Sequence, residues 1–156
     1  MKETEKIEIM HFSQEGYVED GKNVYETGKK MIELADKVAD EGYDAVFLMG
    51  VGGTWDELMQ LEYLMNKFGD RDLEVYLIHA AEWNAMGHKR MTEKSVVITA
   101  SESGTTPEVL EAVKKMKGMG VRVYAMTKPE GPIGQAVGAE NCVAMASDHG
   151  SGGCEK

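Results

Sequence analysis

Apolar residues recur along this chain with two alternating periods. Between Val24 and Ala39, the residues Val24, Met31, Ile32, Ala35, Val38 and Ala39 fall on one helical face, and Gly42 closes the segment. Ala45-Val46-Phe47-Leu48-Met49 is then an unbroken apolar run between turn residues, the pattern of a strand buried on both faces. A helix is predicted from about residue 54 to 68, where Leu58, Leu61, Met65 and Phe68 align. Residues 74–78 and 96–99 read as strands. Val109, Leu110, Val113 and Met116 mark a helix that stops at Gly118 and Gly120. Residues 121–126 read as a fourth strand, 133–137 as a short helix and 141–145 as a fifth strand. This alternation predicts an α/β fold, a three-layer sandwich whose five-stranded parallel sheet is flanked by helices through right-handed crossovers. Residues 1–23 are expected to form an N-terminal extension and 24–156 a single domain.

Sheets of this kind bind ligands in the crevice at the carboxyl ends of their strands, so the loops after the strands carry the interest. After the third strand comes Ala100-Ser101-Glu102-Ser103-Gly104-Thr105-Thr106-Pro107-Glu108. Thr106 is a good N-cap and Pro107 suits the first helical position. Gly104 permits a tight turn, and a helix N-terminus with free amides attracts anions. Four hydroxyls in six residues add donors without net charge. The same residue types also suit a plain capped turn, and composition leaves the two readings near parity.

Composition narrows the ligand. The 156 residues carry 27 acidic and 17 basic side chains, a net charge of −10, with no prominent basic cluster. Lys114, Lys115 and Lys117 read as a solvated helix face. Nucleic acid and anionic membrane surfaces are therefore excluded as expected partners. An anionic ligand would meet a repulsive overall field, so local hydrogen-bond donors must hold it. The segment Met1–Lys6 is charged and unlike a signal peptide, and the longest apolar run, 45–53, is too short to span a bilayer. Cys142 and Cys154 supply neither a disulfide framework nor metal-ligand spacing, so a reduced, cytoplasmic setting is expected.

The other loops are less specific. Gly50-Val51-Gly52-Gly53-Thr54-Trp55 follows the first strand; its glycines allow a ligand to approach the backbone, and Thr54 is expected to cap the next helix. The dinucleotide fingerprint G-x-G-x-x-G fails at Trp55, and G-x-x-x-x-G-K-[ST] and G-x-S-x-G are absent. His79–Met86 is expected to be a loop, on which Glu82 is a candidate acid/base or a solvated carboxylate, and Trp83 reads as packing. His11, His79, His88 and His149 show no metal spacing, and neither metal nor cofactor is expected. His79 reads as structural. Met31, Met49, Met65 and Met116 read as core filling.

In this order of elements, Ser101-Glu102-Ser103-Gly104-Thr105-Thr106 resembles the Ser-x-Ser-Gly-x-Thr phosphate loop of the sugar isomerase (SIS) domain family, and Pro107-Glu108-Val109-Leu110 matches its continuation. Gly52-Gly53-Thr54, Ala81-Glu82-Trp83 and Val123–Lys128 occupy corresponding places. The resemblance covers about Val24 to the last residue and is strongest to the N-terminal half of fructosamine-6-phosphate deglycases. It implies an SIS-type, flavodoxin-like sheet and phosphate contacts from Ser101, Ser103, Thr106 and the backbone at Glu102. Sugar contacts are implied near Gly53 and Thr54. Glu155 matches the position of a base for proton transfer in synthase-like relatives. The implied ligand is a phosphorylated sugar or sugar–amino acid adduct. The implied activity is deglycase or aldose–ketose isomerase chemistry, the alternative being a non-catalytic phosphosugar sensor. The family carries two such domains per chain, so a homodimer or a second SIS domain is the expected partner, and the C-terminus at Lys156 is expected to be truncated.

Overall fold

The computed structural model describes residues 14–70 and 72–144. Helix α1 (Gln14–Glu41) precedes β1 (Val46–Gly50), α2 (Gly53–Phe68), β2 (Val75–His79), α3 (Ala80–Met86) and β3 (Val96–Ser101). There follow α4 (Pro107–Gly118), β4 (Arg122–Thr127), α5 (Pro132–Val137), a 3₁₀ turn (Ala139–Asn141) and the two-residue β5 (Cys142–Val143). All five strands are parallel in the order β2-β1-β3-β4-β5, the flavodoxin-like arrangement. The α/β sandwich read from the sequence is thus the architecture observed.

Strand alternation builds two core layers. Phe47 and Met49 of β1 point to one face, where they meet Trp83 of α3, Val109, Val113 and Met116 of α4 and Ile133 of α5. Val46 and Leu48 point to the other, against Leu58, Leu61 and Met65 of α2. Five successive β1 residues are buried, which explains why this strand is uniformly apolar. Val24 and Ile32 of α1 were expected on its core-facing stripe, yet they are 59% and 63% exposed. Val38, on the same expected stripe, is half-buried, and so is Leu34, which the apolar pattern left out. Met31, likewise expected in the core, only lines the rim. Helix α1 also begins ten residues before the expected start at 24.

Between α1 and the sheet lies an open apolar cavity of about 200 Å³, lined by residues that include Met31, Leu34, Val38, Ile98 and Met126. Phe68 was expected to pack with Leu61 and Met65 but is 73% exposed: it is the last residue of α2, and its ring lies beside the ammonium of Lys67. The expected loop over 79–86 is instead the helix α3, whose seven residues are too few to show a helical period. Lys117 was read as solvated; its Nζ donates to the carbonyls of Ala136 and Val137 at 2.8 Å and so closes the end of α5. Among the described residues, no helix is long and apolar enough to cross a membrane.

Candidate functional site

The chain leaves β1 toward β2 on one side and returns to place β3 on the other, so β1 and β3 flank the point where strand order reverses. A crevice at that point opens at the carboxyl ends of the strands. The glycine loop after β1 and the serine loop after β3 both end there, each leading into a helix N-terminus.

The serine loop is anchored from below. Ser101 ends β3 and is 3% exposed, and its carbonyl accepts a 2.7 Å bond from the buried hydroxyl of Thr127, its register partner at the end of β4. Thr99 Oγ1 donates to the Met49 carbonyl at 2.8 Å and ties the same strand to β1. Gly104 turns the chain with φ 68°, and a Cβ there would lie 3.2 Å from Thr127 Oγ1, so both conformation and space call for glycine. Its carbonyl accepts the Ile133 amide at 3.0 Å, which fixes the loop against α5. The loop is therefore held on a rigid base before any ligand arrives.

Above that base, hydroxyls take over. Ser101 Oγ and Thr106 Oγ1 lie 3.1 Å apart and close the loop across its neck. Ser103 is exposed; its Oγ accepts from the Thr105 amide at 3.2 Å and the Thr105 hydroxyl at 3.0 Å. With both lone pairs engaged, the Ser103 hydroxyl proton is left to donate outward. Thr106 is the residue at the N-cap of α4, as expected, but it makes no side-chain cap bond because its hydroxyl is turned to Ser101. The second and third residues of α4, Glu108 and Val109, thus lack the side-chain acceptor that a capping threonine would supply. Their amides carry the partial positive charge of the helix end.

The glycine loop departs from expectation in one respect. The N-cap of α2 is Gly52, with no side-chain cap, and Thr54 lies inside the first turn. Its hydroxyl donates to the Val51 carbonyl at 3.1 Å and accepts the Val51 amide at 3.3 Å, so it closes the turn rather than capping the helix. Trp55 packs edge-on to His79 with ring centroids 6.4 Å apart, consistent with a structural histidine. Trp83 is 6% exposed and belongs to the core, as read from the sequence.

Ser101, Glu102, Ser103, Thr106, Gly53 and Thr54 are accordingly brought to one sheet edge on two adjacent loops. Glu82 stands in the first turn of α3, exposed, at the end of the neighbouring strand β2. Glu155, His149, Cys154 and His11 lie outside the described residues. Among the described residues, no group of three or more His, Cys, Asp or Glu is placed to hold a metal ion. The sequence reading missed Thr127 and Glu57. Burial, and secondly the charge of Glu102, hold the Glu57 carboxyl above the usual carboxylate range. The site therefore combines uncharged donors at its floor with the Glu57 and Glu102 carboxylates at its margin. Such a floor can hold an anion without any cationic side chain, and the margin disfavours a second anionic group.

No family model matches the chain. It is 33% identical over 93 residues to the fructosamine deglycase FrlB of Bacillus subtilis; the match covers 59% of this chain and 28% of that protein. The solved structure of a Bacillus subtilis protein described as a phosphosugar isomerase superposes with a TM-score of 0.65 at 26% identity, covering 76% of this chain and 39% of the other. The chain has the α/β fold of SIS-type proteins. The Vibrio vulnificus NanR protein, solved in complex with ManNAc-6P, shares the fold at a TM-score of 0.68 and 18% identity, over 89% of this chain and 54% of that one. The chain spans about a quarter of the length of the curated relatives it matches.

Proposed function

We propose that this chain binds a phosphorylated sugar or sugar–amino acid adduct, with the phosphate on Ser101, Ser103, Thr106 and the Glu102 backbone. The sugar lies toward Gly53 and Thr54. The observation that carries this reading is the uncapped N-terminus of α4 beneath an outward-donating Ser103, at the point where the strand order reverses. A doubly charged ester fits there because each hydrogen bond to an ionised oxygen is worth roughly 1.5–3 kcal/mol, enough in sum to offset a screened negative surface. The likeness to a fructosamine deglycase supports an adduct as the substrate class.

Within this reading the domain serves deglycase or aldose–ketose isomerase chemistry in the cytoplasm. Glu82 stands at the correct sheet edge for an acid/base role, and Glu155 is the candidate carried by the family resemblance. The domain works as a pair, with a second copy or a second SIS domain completing the catalytic groups. A phosphosugar-sensing module is the alternative, supported by the same floor of donors, which needs no catalytic group to bind.

Two measurements test this. Calorimetry should show fructoselysine 6-phosphate binding, with Ser103→Ala about tenfold weaker, the loss of one such bond. An unchanged dissociation constant would remove Ser103 from the phosphate site. Release of glucose 6-phosphate from the adduct marks the enzyme; binding without turnover marks the sensor.

A further inference from the structure

Strand order sets the serine loop between two neighbours, the glycine loop after β1 on one side and the turn after β4 on the other. That turn is Lys128-Pro129-Glu130-Gly131, closed by a 3.0 Å bond from the Gly131 amide to the Lys128 carbonyl, with proline at its favoured second position. It packs directly on the serine loop. A Cβ at Gly104 would lie 3.6 Å from both the Gly131 Cα and the Lys128 Cβ, and one at Gly131 would lie 3.2 Å from the Gly104 carbonyl oxygen. The Ile133 amide bonds that same oxygen at 3.0 Å, so turn and loop share one anchor. The root of Lys128 is thus fixed beside Gly104, the neighbour of Ser103, while its four-carbon stem can move. Lys128 is exposed, and among the described residues no carboxylate forms an ion pair with its ammonium. Segments 51–56, 80–83, 102–108 and 128–131 follow β1 to β4 at this edge, and only the last carries a lysine or arginine.

We infer that Lys128 is a phosphate contact, its ammonium reaching over Ser103 to meet the ester from the β4 side. This deepens the phosphosugar reading and rests on it. With the sugar on the β1 side toward Gly53 and Thr54, the β4 side of the phosphate is the one that Lys128 can reach. The hydroxyls and the amides of α4 are neutral donors; Lys128 adds a full positive charge where the chain as a whole carries −10. Water and salt screen an exposed ammonium, so its contribution supplements the floor of donors and does not replace it.

Calorimetry of the full chain with fructoselysine 6-phosphate at low salt tests the contact. Lys128→Met keeps an unbranched stem and removes the charge; it should weaken binding about fivefold and flatten the loss of affinity on added KCl. Lys89→Met removes an exposed lysine from the segment leading into β3, at the opposite edge of the sheet, and should leave affinity unchanged. Urea unfolding should match the wild type for both variants, because neither side chain is buried. Unchanged affinity in Lys128→Met, with Ser103→Ala still weakened, would overturn the lysine contact and leave the phosphate site standing. Equal losses in Lys128→Met and Lys89→Met would trace the effect to net charge and overturn the contact as well. A wild type that binds no fructoselysine 6-phosphate would overturn both the contact and the reading beneath it.

Discussion

Ser103→Asp is expected to abolish phosphosugar binding while the domain stays folded. The substitution replaces an outward donor with a carboxylate facing a dianion. Loss of the bond together with the new repulsion should cost about 3 kcal/mol or more, a dissociation constant at least about a hundredfold weaker. Stability should hold because Ser103 is exposed and, among the described residues, its hydrogen-bond partner is Thr105, two residues away. Calorimetry with fructoselysine 6-phosphate reads the affinity, and urea unfolding reads the fold. Retained affinity in a folded Ser103→Asp protein would show that the phosphate lies elsewhere.

The second large effect is on stability. Gly50→Ala should destabilise the domain by about 3 kcal/mol, at the upper end of overpacking costs. A Cβ at Gly50 would sit 2.7 Å from the Trp55 amide nitrogen and 2.9 Å from its Cα, both backbone atoms that cannot rotate away. The clash would push α2 off β1 just where the glycine loop meets the crevice. Phosphosugar affinity should therefore fall with stability. An unfolding midpoint equal to that of the wild type would show that the approach of α2 to β1 is not tight.

These two residues mark how far the sequence reaches. The sheet was legible because β1, an interior strand, is apolar at every position, a signal that burial on both faces produces. The serine loop was legible because Gly, Ser, Thr and Pro stand in an order that turns the chain and starts a helix. What the sequence could not convey was which hydroxyl faces which way. Thr106 occupies the N-cap position but bonds Ser101, and Thr54 bonds Val51, because hydroxyl partners depend on loop geometry rather than on residue type. Thr127 ends β4, one residue past the predicted strand. Its role as the anchor under Ser101 follows from the pairing of β3 with β4, a contact between residues 26 apart.

Helix α1 was misread for a related reason. Its apolar positions outnumber those that its own sheet can cover, so the pattern alone assigned Val24 and Ile32 to a core they do not reach. Helix α3 was missed because seven residues hold fewer than two turns of periodic signal. Glu57 went unnoticed since a carboxylate early in a helix is ordinary; its distinction is its partial burial and, secondly, the nearby charge of Glu102, both of which only the fold creates.

The mouth of α4 is expected to receive the phosphate. Titrating ¹⁵N-labelled protein with fructoselysine 6-phosphate, and separately with fructoselysine, should shift the amide resonances of Ser103, Glu108 and Val109 saturably with the first compound only. Equal shifts with both compounds, or shifts confined to residues around the cavity beneath α1, would contradict it.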